Sequence, residues 1–306
     1  MTKSSLLRRT LAAAAASAIA LSACGGNSPV ASANDAFVVN GTSYSLDSFE
    51  TLLADLVENE QLEAAANGQA SKESAVSVMR TLLRYEAYKQ YLADNGLSEK
   101  ASDRTKVEEE AANSDGFSTL PEYIQELLIN LNVAQVTMAN FKPYSAATLK
   151  KMYNESPAST GVLCMSHILL ETEDEAKSVL KELEGGAKFA DVAKKRSIEP
   201  AAKESGGSLA ADEEPCTDMS YYQQQFDPIF MKGAVEAKAG VPTGPVKTQF
   251  GYHIILNHAY DDIKTSLVKV AAEKPGVSNL VGYMATADIS VNSTYGVWNG
   301  AMSTID

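Results

Sequence analysis

The sequence predicts an α+β protein: a mixed unit of strands and short helices inserted in a mainly helical region. Three observations carry this. From residue 45 to about 155, apolar residues recur at helical spacing, punctuated by Ser caps and Asn-Gly breaks. From 160 to 260, short apolar runs alternate with Gly-rich turns. Helical spacing then returns over 262–286 and ends in the strand-like ADISV of 287–291.

Taken in order, 36–39 (AFVV), Asn40-Gly41 and Thr42-Ser43-Tyr44 read as strand, tight turn and strand. Ser45 can cap a helix whose apolar face is Leu46, Phe49, Leu52, Leu53, Leu56 and Val57. Ser71 can cap a second, carrying Ala75, Val78, Met79, Leu82, Tyr85 and Leu92 inward and ending at Asn95-Gly96. Residues 101–112 read as a charged helix. Pro121 falls in the first turn of another, with Ile124, Leu127, Leu128, Leu131, Val133 or Ala134, and Met138 inward. A short helix over 146–153 follows. In the mixed unit, 161–170 (GVLCMSHILL) reads as a strand, 173–184 as a helix stopped by Gly185-Gly186, and 188–196 as a second short helix. Gly206-Gly207-Ser208-Leu209 is a turn into a strand, 227–235 is helical, and 246–247 and 252–257 are strands. The last helical run breaks at Pro275-Gly276. The late strand is too short to bury a core alone, so it is expected to return to the first region.

Composition excludes several functions. The 306 residues allow about two domains. With 26 Lys+Arg against 39 Asp+Glu the net charge is −13, the wrong sign for a nucleic-acid binder. Three Cys are too few for a disulfide scaffold and show no CxxC spacing. Three His likewise limit metal chemistry, and no metal or cofactor is expected.

The first 23 residues read as an address. Lys3, Arg8 and Arg9 precede the apolar run 11–20 (LAAAAASAIA), which is too short to span a bilayer comfortably. Leu21-Ser22-Ala23-Cys24 resembles a bacterial lipoprotein signal, in which the Cys is lipidated and becomes the mature N-terminus. The alternative is an ordinary signal with a chance Cys. Cleavage before Cys24 removes three positive and no negative charges, moving the formal charge from −13 to −16. The expected location is the cell membrane, lipid-anchored on its extracytoplasmic face. Residues 24–35 read as a flexible tether.

The most specific signal lies between 162 and 258. Its pieces are Ser166-His167-Ile168-Leu169; Gly186, Phe189, Ala190 and Ala193; Ser197 with Pro200; Gly206-Gly207-Ser208-Leu209; Phe226-x-Pro228-x-Phe230; and the run from Gly244 through His253 to Ile255. In that order they resemble a parvulin-type peptidyl-prolyl cis-trans isomerase. The resemblance implies a four-stranded antiparallel sheet with surrounding helices. It also implies facing histidines, His167 and His253, with Thr248 completing their hydrogen-bond chain. Leu209, Phe226 and Phe230 would form a proline pocket with Phe250 at its edge. Glu199 stands where the family usually has Asp or Cys, and Ser208 and Ala210 stand where Asp and Gly are more common. Glu199 reads equally well as an exposed loop acid, Phe226 and Phe230 as one helix face, and His167 as a core histidine. The acidic run 171–175 (ETEDE) would repel a phosphate, so no phospho-dependence is expected.

Cys164, three residues before His167, faces away from the site on that strand. In an exported protein this suits a disulfide with Cys216; two buried thiols are the alternative. The whole order (Val39-Asn40-Gly41 ribbon, amphipathic helices, parvulin unit, returning segment with Tyr295-Gly296-Val297-Trp298) resembles exported foldases of the PrsA/SurA kind. The resemblance implies a helical chaperone-like part over 36–159, an isomerase unit over 160–260 and a returning segment over 261–306. The implied partners are unfolded or partly folded exported proteins with X-Pro bonds, and the membrane through the lipid. A non-catalytic holdase with a structural parvulin unit is the competing function.

Overall fold

The computed structural model describes residues 31–210 and 214–306. The signal and Cys24 lie outside the described residues. Strands β1 (Asp35–Val39) and β2 (Thr42–Ser45) form the opening ribbon. Its turn uses Asn40 (φ 46°) and Gly41 (φ 83°), the left-handed pair that suits a two-residue hairpin. β1 takes in Asp35, the last residue of the expected tether.

Helices α1 (Leu46–Glu58), α2 (Lys72–Asp94), α3 (Ala101–Ala112), α4 (Glu122–Ala139) and α5 (Ala146–Glu155) follow. Ser45, Ser71 and Ser145 each accept the backbone N–H of the third residue beyond, satisfying one orphan donor per helix. Phe49, Leu52, Met79, Leu83, Tyr88 and Ile124 bury one core between the ribbon and these helices.

The chain then enters β3 (Val162–Leu163) and β4 (Met165–Leu170). Helices α6 (Glu173–Glu184), α7 (Phe189–Arg196) and α8 (Pro200–Ser205) come next. They are followed by β5 (Thr217–Asp218), α9 (Met219–Gln225), α10 (Pro228–Glu236), β6 (Thr243–Thr248) and β7 (Gly251–Asn257). β7 pairs antiparallel with both β4 and β6.

Two expectations are corrected here. Among the described residues the sheet has three strands, β4-β7-β6, rather than four. The stretch at Ser208-Leu209 reaches β4 only as a bridge between Ser208 and Ser166. Two successive left-handed glycines, Gly206 and Gly207, bring the loop in at a turn, leaving too little extended chain for a strand. The run 161–170 is also two strands, broken at Cys164. β3 pairs with β5 in the register Val162↔Asp218 and Leu163↔Thr217. Extending that register by one sets Cys164 opposite Cys216, and the two form a disulfide.

The sheet alternates cleanly. Ile168, Leu170 and Ile254 face α6 and α7, where Val179, Leu183 and Val192 complete a core. Met165 and Ile255 face the other way, toward Tyr222, Phe230 and Met231.

Helices α11 (Tyr260–Glu273) and α12 (Pro275–Thr286) and strands β8 (Ile289–Val291), β9 (Trp298–Asn299) and β10 (Thr304–Ile305) end the chain. β8 pairs with β1, so the opening sheet runs β2-β1-β8. α12 touches both sides of the molecule: Leu280 and Met284 join the first core, while Val281 joins that of Phe230. It lies so close to the backbone of 159–161 that a Cβ on Gly161 would sit 1.9 Å from the Ser278 carbonyl oxygen. Among the described residues no helix is long and apolar enough to cross a membrane.

Candidate active site

His167 on β4 and His253 on β7 share one face of the sheet, both at most 5% exposed. Their rings stack at 5.4 Å between centroids, 19° from parallel. Nδ1 of one lies 3.2 Å from Nδ1 of the other. Thr248, at the end of β6, places Oγ1 2.8 Å from His253 Nε2. On the far side, His167 Nε2 meets Glu199 Oε2 at 2.5 Å. Glu199 is held there locally. Ser197 Oγ accepts the Leu169 N–H at 3.2 Å and the Ile198 N–H donates to the Leu169 carbonyl at 2.8 Å, so the residues before Glu199 are tied to β4. Pro200 then starts α8 and fixes how the chain leaves.

Glu199 ionises easily. The His167 hydrogen bond holds its carboxyl below the usual range, against partial burial. An ionised carboxylate only accepts, which sets the direction of the whole chain. His167 donates from Nε2–H to Glu199 and accepts at Nδ1 from His253 Nδ1–H. His253 in turn accepts at Nε2 from the Thr248 hydroxyl, whose oxygen accepts the Phe250 N–H at 3.2 Å. One proton on each ring satisfies every contact, an assignment made from the network. Burial, then the neighbouring His167, lowers the pKa of His253 to about 4, so its ring is uncharged at neutral pH.

An apolar wall stands beside this chain. Phe230 meets His253 at 5.1 Å and His167 at 5.7 Å, edge-on to both. Phe226 stacks on Phe230 at 5.2 Å. The two do not share a helix: Phe226 caps the end of α9 and Phe230 lies in α10, with Asp227 and Pro228 between them. Leu209 packs against the same cluster. Its carbonyl accepts the Tyr222 hydroxyl at 3.1 Å. Tyr222 was not marked by the sequence; its only local signal is the Asp218 cap that starts its helix. Phe250, 63% exposed, stands at the tip of the β6–β7 turn.

Gly207 admits no side chain, since a Cβ would lie 2.5 Å from the His167 carbonyl oxygen. Ser208 is exposed, and its hydroxyl accepts only the Ala210 N–H. His258 bonds Ser166, which faces away from His167, and takes no part. The acidic run 171–175 is spent on α6: Thr172 and Glu175 close a capping box, and Glu173 pairs with Lys177 at 2.6 Å. α6 packs on the face of the sheet away from the histidines. The carboxylates whose charge reaches His253 are Glu199 and Asp227. Among the described residues no group of three His, Cys, Asp or Glu is placed to hold a metal.

Residues 167–259 match the Rotamase family, the PPIC-type PPIase domain. The foldase protein PrsA of Clostridium botulinum (strain Okra) is 39% identical over 153 residues, covering 48% of this chain. The match spans 43% of that relative, so the chain aligns with less than half of its length. Among solved structures, NmPin, the parvuline of Nitrosopumilus maritimus, is 27% identical, with 32% of this chain and 97% of NmPin covered and a TM-score of 0.28. PrsA from Bacillus subtilis is 23% identical, with 74% and 91% covered and a TM-score of 0.29. The segment 167–259, with its paired histidines and phenylalanine wall, is a parvulin-type peptidyl-prolyl isomerase domain, carried in a chain related in part to the PrsA foldases.

Proposed function

We propose that the protein is a peptidyl-prolyl cis-trans isomerase and foldase that assists exported proteins on the outer face of the cell membrane. The observation that carries this is the hydrogen-bonded line Thr248–His253–His167–Glu199 running beside the Leu209–Phe226–Phe230 wall. Rotation about a prolyl bond has a barrier of roughly 18–20 kcal/mol and requires no nucleophile. It requires a site that binds the twisted amide better than the planar one. The wall takes the proline ring. The line of oriented dipoles lies where the imide loses its conjugation, in surroundings largely free of water. Thr248, His253, His167 and Glu199 are the proposed catalytic set, with Leu209, Phe226, Phe230 and Phe250 as substrate contacts.

The isomerase unit is taken as 160–260, enclosed by a helical part built from 36–159 and 261–306; the β1–β8 pairing and the first core support this division. A holding action by the helical part has some support in a cavity of about 570 Å³ where Tyr91, Leu97, Phe141 and Tyr144 stand among polar and charged residues such as Lys100 and Asp103. Cys24 is the proposed lipid attachment, supported by its Leu-Ser-Ala-Cys setting. A protease-coupled proline-peptide assay on the full chain tests the central reading. Acceleration lost in the His167→Ala, His253→Ala double variant is the expected result. Full activity in that variant overturns it, and labelling with radioactive palmitate tests Cys24.

A further inference from the structure

We infer that the site selects prolines preceded by Lys or Arg, with Glu199 reading the charge and Asp227 reinforcing it; this rests on the isomerase reading above. Glu199 uses one oxygen on His167, while its side chain remains 39% exposed. It is therefore fixed in place and still open to a ligand. Asp227 sits between Phe226 and Phe230 at the start of α10, where its Oδ1 accepts the Ile229 N–H at 2.8 Å.

Neither carboxylate forms an ion pair with a Lys or Arg among the described residues; the one pair at Glu199 is with His167. Of the basic residues flanking them in sequence, Arg196 pairs with Glu182 at 3.3 Å, and Lys203 and Lys232 form no ion pair with either carboxylate. Lys247 lies over the Tyr252 ring at 5.6 Å, and Tyr252 is on the face of β7 opposite to His253. Lys177 is held by Glu173. The chain as a whole carries −13, so its far field has the same sign.

The carbonyl of the rotating bond belongs to the residue before proline. With the ring against Phe226 and Phe230, that carbonyl lies along the His167–His253 line, and the preceding side chain branches one atom away. A Lys or Arg there meets Glu199; a Glu, Asp or phosphorylated residue meets like charge. Opposite against like charge at a partly exposed contact changes selectivity by about tenfold.

The test measures kcat/KM of the full chain on four peptides, Ala-Xaa-Pro-Phe, with Xaa Lys, Arg, Leu or Glu, at low and high salt. Lys and Arg are expected to exceed Glu by about tenfold at low salt, with the ratio shrinking as salt rises. Glu199→Gln brings the ratio toward one, and Glu199→Asp restores part of it. Asp227→Asn, which keeps a helix-capping side chain, lowers the ratio to a smaller degree. Acceleration of all four peptides with a Lys-to-Glu ratio near one overturns this inference alone. No acceleration of any peptide by the folded chain overturns the isomerase reading, and this inference with it.

Discussion

His167 and Glu199 are 32 positions apart in sequence and joined Nε2 to Oε2 at 2.5 Å. The contact exists because Ser197 and Ile198 clamp the loop onto Leu169, two residues along β4 from His167. It makes the carboxylate the terminus of the Thr248–His253–His167 chain. Replacing Glu199 by Gln keeps the shape and removes the charge that orients the chain. kcat/KM should fall about tenfold or more, since oriented polar groups in such sites are worth at least that. Unchanged rates in the protease-coupled assay would remove Glu199 from the mechanism.

The direction of the chain predicts specific tautomers. At pH 7, His253 should carry its proton on Nδ1 and His167 on Nε2. Long-range nitrogen–proton spectra distinguish these forms directly. Glu199→Gln, whose amide can accept or donate, should release the preference at both rings together, because His253 Nδ1 and His167 Nδ1 share one hydrogen bond. Finding His253 protonated at Nε2 instead would reverse the Thr248 hydrogen bond and refute the assigned order.

Stability should fall on acidification in a defined window. The pKa of His253 is about 4 in the fold against an ordinary 6.5. The unfolded chain therefore takes up a proton near pH 6.5 that the folded chain refuses until about pH 4. The stability from this group is complete above pH 6.5 and declines as pH drops toward 4, by about 3 kcal/mol at most. Glu199, held low by His167, acts in the same direction at lower pH: its contribution is present above its ordinary 4.5 and fades as it protonates. Urea midpoints measured from pH 7.5 to 4 check this. A midpoint independent of pH across that range would contradict it.

Cys164 and Cys216 close a loop with a sequence separation of 52. In the chain-entropy view a loop of that length is worth about 4 kcal/mol. The double Cys→Ala variant should lose a comparable amount in urea unfolding. The wild type under a strong reductant should lose the same, once unfolding exposes the bridge. A variant as stable as wild type would mean the bridge adds nothing to the β3–β5 pairing.

Gly161→Ala should be severely destabilising for a single methyl group. Gly161 has φ 67°, and the added carbon meets the Ser278 carbonyl oxygen at 1.9 Å. Backbone strain and overpacking together should cost about 2–4 kcal/mol. Gly186→Ala has similar backbone strain with open space around it and serves as the comparison. Equal losses in the two variants would show that the contact with α12 is of no consequence.

Much of the fold was legible because its ends are chemically marked. The helix over 173–184 was read at its observed bounds from its glycine stop, and a Thr172–Glu175 capping box closes its start. The short helices α8 and α9 were missed, since six or seven residues give no usable periodicity. The fourth strand is expected from Gly206–Leu209, but the left-handed conformation of both glycines turns the chain so that it contributes a single bridge. In the site, the histidines and Thr248 were visible in contiguous runs. The placement of Glu199 was not, because it depends on Ser197 meeting a strand 28 residues earlier. Tyr222, which holds Leu209, looks in sequence like any other aromatic residue.

The pairing of β1 with β8 also sets an order of events. The Asn292 side chain donates to the Asp35 carbonyl across 257 residues, so the opening ribbon cannot finish its sheet until nearly all the chain has emerged. The contacts of β4, β6 and β7 are made within fewer than a hundred residues. Loop closure favours the nearer pairing first. As the chain folds, the N-terminal segment waits as an unpaired edge while the isomerase unit assembles behind it, and arrival of the last strand locks the first one in.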